Sequence, residues 1–197
     1  GGLMSAYFTF VYEKINAFFK QWSAPWQRIL IGGGLLGLLI FIMPPLYGEG
    51  HEIINHLKEG HPELSLSSNL FDWDLSNTWV IILLLAGLCF AKVVATSLTF
   101  GGGGVGGIFS PMLFMGGVMG NCLARIINQF SWLGYKAELP NFTLVGMTAL
   151  MTGVLHAPLT AIFLIAEVTG GYSLFVPAML TAAVSFSVAK YFNKYSV

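Results

Sequence analysis

Apolar residues fall along this chain in long runs that short polar stretches interrupt. No Asp, Glu, Lys or Arg occurs between Arg28 and Glu49, Asp74 and Lys92, or Lys92 and Arg125, nor between Glu138 and Glu167 or Glu167 and Lys190. A helix needs roughly 20 mostly apolar residues to cross bilayer hydrocarbon, and several of these gaps reach that length. A large soluble core can bury one such helix, but hardly five. Residues 5–20 are aromatic-rich with charges toward one end, like the last turns of a helix whose start is missing. Residues 29–44 predict an apolar helix that Pro44-Pro45 ends. Within it, Gly33 and Gly37 have the small-xxx-small spacing that lets a neighbouring helix approach closely. Residues 48–60 predict a short amphipathic segment with Ile53, Ile54 and Leu57 on one side, followed by a polar loop to Asp74. A run over 78–100, interrupted by Lys92, leads into a glycine-rich break at 101–107, and helix resumes over 108–128. After a loop at 131–141, His156-Ala157-Pro158 splits the next run into short helices at 142–155 and 158–168. Residues 172–192 form the last apolar helix. No period of 20–50 residues repeats.

Composition turns this pattern into a class. Charged residues are 9% of the 197 and hydrophobic ones 55%, against about 25% charged in a typical globular protein, and mean hydropathy is +0.74. The expectation is an all-α, polytopic membrane protein with tilted and broken helices. Nine basic and nine acidic residues cancel, so no net field steers the chain to nucleic acid. Cys89 and Cys122 lie in apolar runs and give neither a disulfide framework nor metal spacing. Lys14, Lys20 and Arg28 precede the first run, and Lys190 and Lys194 close the chain. Acidic residues dominate the 46–75 loop. This bias predicts both ends in the cytoplasm and that loop outside. Glu13 and Lys14 stand ahead of a run long enough to span, which argues against a cleavable signal. The chain opens on Gly1-Gly2 rather than methionine, as expected of a piece of a longer protein.

The break Gly101-Gly102-Gly103-Gly104-Val105-Gly106-Gly107 calls for a physical reason. Non-helical backbone is tolerated at membrane depth only where it is buried in protein or lines a watery cavity. Short, Gly- or Pro-broken hydrophobic segments mark transporters whose discontinuous helices build a site there. Gly107-Ile108-Phe109-Ser110-Pro111 opens a helix, with Pro111 suited to the first turn and Ser110 the expected N-cap. The first N–H groups of a helix lack internal partners, and the dipole adds about half a positive charge. That combination binds anions, here through the backbone amides of Ile108 and Phe109. A bare glycine run equally serves tight helix crossing. Gly102-x-Gly104-x-x-Gly107 has dinucleotide spacing, but no acid follows before Glu138 to take a ribose; a P-loop needs Lys-Ser/Thr where Ile108-Phe109 stand.

The stretch LTFGGGGVGGIFSPMLFMGGVMG (98–120) resembles the anion-filter segment of the CLC chloride channel and chloride/proton antiporter family. GMTALMTGVLHAPLTAIFLIAEVTGGY (146–172) and GGGLLGLLIFIMPPLYGEG (32–50) resemble two further signatures, in family order over about nine-tenths of the chain. The resemblance implies the second inverted-repeat half of a CLC-type fold. Residues 1–197 would be a single partial transmembrane domain whose first half is absent. It implies an integral membrane protein, in the cell (inner) membrane, that moves chloride or a similar small anion as a channel or proton antiporter. It further implies a homodimer through membrane helices, with one pathway per subunit. The central anion would be held by the amides of Ile108 and Phe109 within the filter motif from Gly107 to Pro111. The serine ligand and gating glutamate belong to the absent half, and Tyr195 is the in-chain candidate for the central tyrosine. No cofactor and no metal are implied, chloride being the substrate.

The remaining polar residues have plainer expected roles. Glu167 sits at the end of its run, at an interface or helix end. Lys92 snorkels or pairs with a helix C-terminus, Arg125 sits at a membrane boundary, and His156 ends a short helix. His51-Glu52-Ile53-Ile54-Asn55-His56 imitates a zinc-protease motif. Its histidines are five apart, about 140° around a helix, and cannot share a metal. Tyr7, Phe8, Phe10, Phe18 and Phe19 are packing or aromatic-belt residues. Against the transporter stand an intramembrane metal-dependent enzyme using the 51–61 His/Glu cluster, and a non-conducting structural fragment. Residues 158–169 and 173–191 are expected at the dimer interface, so a charge at Leu164 should yield monomers.

Overall fold

Prolines, glycines and one asparagine set the ends of the helices. The structure, a computed structural model, describes residues 1–59, 77–130, 136–168 and 171–192. Among these residues there are eight α-helices, a 3₁₀ turn over Pro44–Leu46, and no strand. The helices are α1 Gly2–Lys20, α2 Pro25–Ile42, α3 His51–Glu59, α4 Thr78–Gly101, α5 Phe109–Gln129, α6 Leu139–Leu155, α7 Pro158–Val168 and α8 Phe175–Phe192. The chain is all-α with broken helices. Pro25 opens α2, and Asn77 caps α4 by accepting the Trp79 N–H at 3.0 Å. His156, in the left-handed region at φ 53°, ends α6, and Pro158 then starts α7. Four helices, α2, α4, α5 and α8, are long and apolar enough to cross a membrane, while α6 and α7 are shorter apolar helices.

Helix α6 lies at the centre, packed against α1, α3, α5, α7 and α8. Every residue from Gly146 to Val154 is buried, as expected of a helix with neighbours all round. Its closest partner is α5, where glycines let the two backbones touch. A Cβ on Gly116 would lie 2.6 Å from the Gly146 carbonyl oxygen, and one on Gly120 would collide with the Phe142 carbonyl. Among the described residues, close approach therefore falls at Gly116, Gly120 and Gly146 and not at Gly33 and Gly37, which have nothing within 4 Å there. On α2 it is Gly32 that makes contact, a Cβ there falling 2.7 Å from the Cα of Gly102.

The rest of the core follows the hydrophobic pattern. Ile53, Ile54 and Leu57 of α3 are buried against α5 and α6. Phe8, Leu85, Leu88, Phe114 and Leu150 complete the centre of one apolar cluster. Of the aromatic residues of α1, Tyr7 lies edge-on to Phe90 with centroids 5.2 Å apart and Phe8 and Phe19 are buried, whereas Phe10 and Phe18 are exposed. Hydroxyls inside helices bond back to their own turns, as Thr96 to the Lys92 carbonyl and Ser97 to the Val93 carbonyl, each at 2.8 Å. Such bonds satisfy these hydroxyls within their own helix in an apolar bundle.

Candidate anion site at a helix N-terminus

The glycine break stops α4 and aims the start of α5. Gly102 donates to the Leu98 carbonyl at 2.8 Å, and Gly104 to that of Thr99 at 2.8 Å. Between them Gly103 has φ 93°, which glycine adopts without steric cost. Residues 103–107 are exposed. Ile108, in helical geometry, is the N-cap of α5, and no side chain caps it. The first hydrogen bond of the helix runs from the Met112 N–H to the Ile108 carbonyl, 3.1 Å. Among the described residues, the N–H groups of Ile108, Phe109 and Ser110 have no main-chain or side-chain acceptor. Pro111 has no N–H to offer. The arrangement is a cluster of unpaired donors at the positive end of a 21-residue dipole.

Ser110 departs from its expected role. Its Oγ turns away from the helix start and donates to the Glu49 carbonyl at 3.2 Å, because residues 46–51 lie across the first turn of α5. Phe109 is 40% exposed, since nothing among the described residues covers the outer side of the loop. On the inner side is a cavity of about 240 Å³, its lining including Lys92, Gly106, Gly107 and Pro111.

Lys92 is 4% exposed and pairs with carbonyls at and just past the end of the 3₁₀ turn that follows α2. Its ammonium donates to the carbonyls of Leu46 (2.9 Å) and Gly48 (2.7 Å), just beyond α2, and stands 5.2 Å from the centre of the Phe114 ring. Arg125 donates from Nε to Oδ1 of Asn121 at 2.8 Å. The Nδ2 of the same asparagine reaches the Leu57 carbonyl and the Thr143 hydroxyl, at 3.2 and 3.1 Å. Glu167 is exposed in the last turn of α7. His156 ends α6 and lies edge-on to Phe186 at 5.7 Å. His51 pairs with Glu49 at 2.8 Å, and no group of three metal-ligating side chains occurs among the described residues. Tyr195 lies outside the described residues. The Asn121 hub and the Ser110–Glu49 contact were not foreseen; the turn glycines Gly48 and Gly50 flanking Glu49 were the available signal.

Together these features define a multi-pass membrane protein whose glycine-bounded break presents bare amides at a helix start. A family model described as voltage gated chloride channel matches residues 1–190. The chain belongs to the voltage-gated chloride channel family. Its relatives include proteins named voltage-gated ClC-type chloride channel ClcB from Salmonella typhimurium, Salmonella dublin and Salmonella typhi. Each is 33% identical over 175 residues, covering 88% of this chain and 37% of the relative. The chain thus spans little more than a third of the length of these relatives.

Proposed function

We propose that this chain is the second half of the membrane domain of an anion transporter that moves chloride or a similar small anion. The observation that carries this reading is the start of α5, where the N–H groups of Ile108 and Phe109 are unpaired behind a glycine loop. An anion entering the site exchanges part of its hydration for these amides. Because no full positive charge is committed to it, release stays fast enough for transport. The filter is the motif from Gly107 to Pro111, and no residue in it performs covalent chemistry. Family membership and the ClcB names support the substrate class. The exposed apolar faces of α7 and α8, with Leu159, Phe163, Val176, Leu180 and Val184 outward, support a homodimer through these helices. The charge bias of the sequence supports cytoplasmic ends.

Bromide, which replaces chloride and scatters anomalously, tests the site in crystals of the chain combined with an upstream half. A peak within hydrogen-bond distance of the Phe109 nitrogen is expected, and a vacant position there would overturn the assignment. Efflux from chloride-loaded liposomes tests the activity. Transport is expected when both halves are present, whereas efflux from this chain alone would refute the structural-fragment reading.

A further inference from the structure

Residues 46–51 run from the end of the 3₁₀ turn that follows α2 to the start of α3 and are held at three places. Lys92 of α4 grips the carbonyls of Leu46 and Gly48. Ser110, in the first turn of α5, donates to the carbonyl of Glu49. Gly50, at φ 81°, rests on the Phe114 ring so closely that a Cβ would collide with it. The same ring faces the Lys92 ammonium, so α4, α5 and this segment meet at one point. Leu46, Tyr47 and Gly48 form one wall of the 240 Å³ cavity, and Gly106, Gly107 and Pro111 another. A buried ammonium that uses carbonyl oxygens as acceptors costs desolvation and gains charge-assisted bonds in return. It persists where it fixes a geometry.

We propose that residues 46–51 are a strap that sets the position of the first turn of α5, with Lys92 and Ser110 as its positioning residues. Lys92 fixes the strap to α4, and Ser110 fixes the helix start to the strap. What that start binds rests on the anion-filter reading above; the strap itself does not.

Hydrogen exchange at the amides of Met112, Leu113 and Phe114, the first hydrogen-bonded turn of α5, tests the strap in the chain held in lipid nanodiscs. Ser110→Ala cuts the link at its exposed end and is expected to speed exchange there roughly threefold or more. Lys92→Met removes two charge-assisted bonds and is expected to speed it roughly tenfold or more. Lys92→Arg, which keeps the donors, is expected to stay within about threefold of wild type. The double variant should be no faster than Lys92→Met alone, since both changes act through one strap. Unchanged rates in Ser110→Ala would overturn the proposal even if Lys92→Met fails to fold. Single-variant effects that multiply in the double variant would overturn it too, by making Lys92 an independent electrostatic partner. In liposomes that pass chloride, both variants are expected to lower the preference for chloride over nitrate. A wild type that passes no anion even with the upstream half present defeats the filter reading and leaves the exchange rates to judge the strap.

Discussion

At the scale of single residues, burial combined with hydrogen bonding separates the polar groups that organise the fold from those that decorate it. Asn121 is fully buried and joins α3, α5 and α6 through Leu57, Arg125 and Thr143. Replacing it with leucine takes the side-chain donor away from the Leu57 carbonyl in an apolar setting. Asn121→Leu is therefore expected to cost about 1–3 kcal/mol, read as a loss of thermal stability in detergent. Lys92 was legible as a cation near a helix end, because a lone charge in an apolar run must find acceptors or water. Its acceptors were not legible, since Leu46 and Gly48 lie more than forty positions upstream. The same distance concealed the turning of Ser110 toward Glu49. Local chemistry favours serine as an N-cap, and a competing carbonyl from a remote segment won.

Among the elements, helix ends were readable to within a few residues because prolines, glycines and runs of apolar residues leave few alternatives. The partners of each helix were less readable. Gly33 with Gly37, and Gly116 with Gly120, share the same spacing, yet the second pair meets another backbone and the first meets none among the described residues. The spacing permits an approach and does not name who approaches. The difference can be measured. Gly146→Ala, whose added methyl would strike the Gly116 carbonyl, is expected to destabilise the chain by about 1–3 kcal/mol through overpacking. Gly33→Ala points into open space and is expected to change stability by no more than about 1 kcal/mol, in the stabilising direction. Chemical denaturation of the two variants in one detergent provides the comparison, and equal losses would mean that the α5–α6 crossing is looser than described.

For the molecule as a whole, exposed apolar residues occur on most of the described helices, on α2 above all, and two exposed places bear on assembly and on the candidate site. One is the face shared by α7 and α8, where the homodimer is proposed. Leu164 is partly buried against the core, so a charge there would disturb folding as well as association. Leu180, 66% exposed on α8, isolates the second effect. Leu180→Glu is expected to shift the assembled protein from dimer to monomer in light scattering, with its thermal midpoint unchanged. The other place is the loop 103–107, with Val105 fully exposed. Both native thiols, at Cys89 and Cys122, are by contrast buried, their sulfurs lying 3.6 and 3.9 Å from the carbonyl oxygens of Met115 and Ile82. A maleimide applied to the native bundle should thus find almost nothing to react with. Val105→Cys would then carry its label alone on an otherwise native background, giving a fluorophore on the loop that reports when this surface is covered.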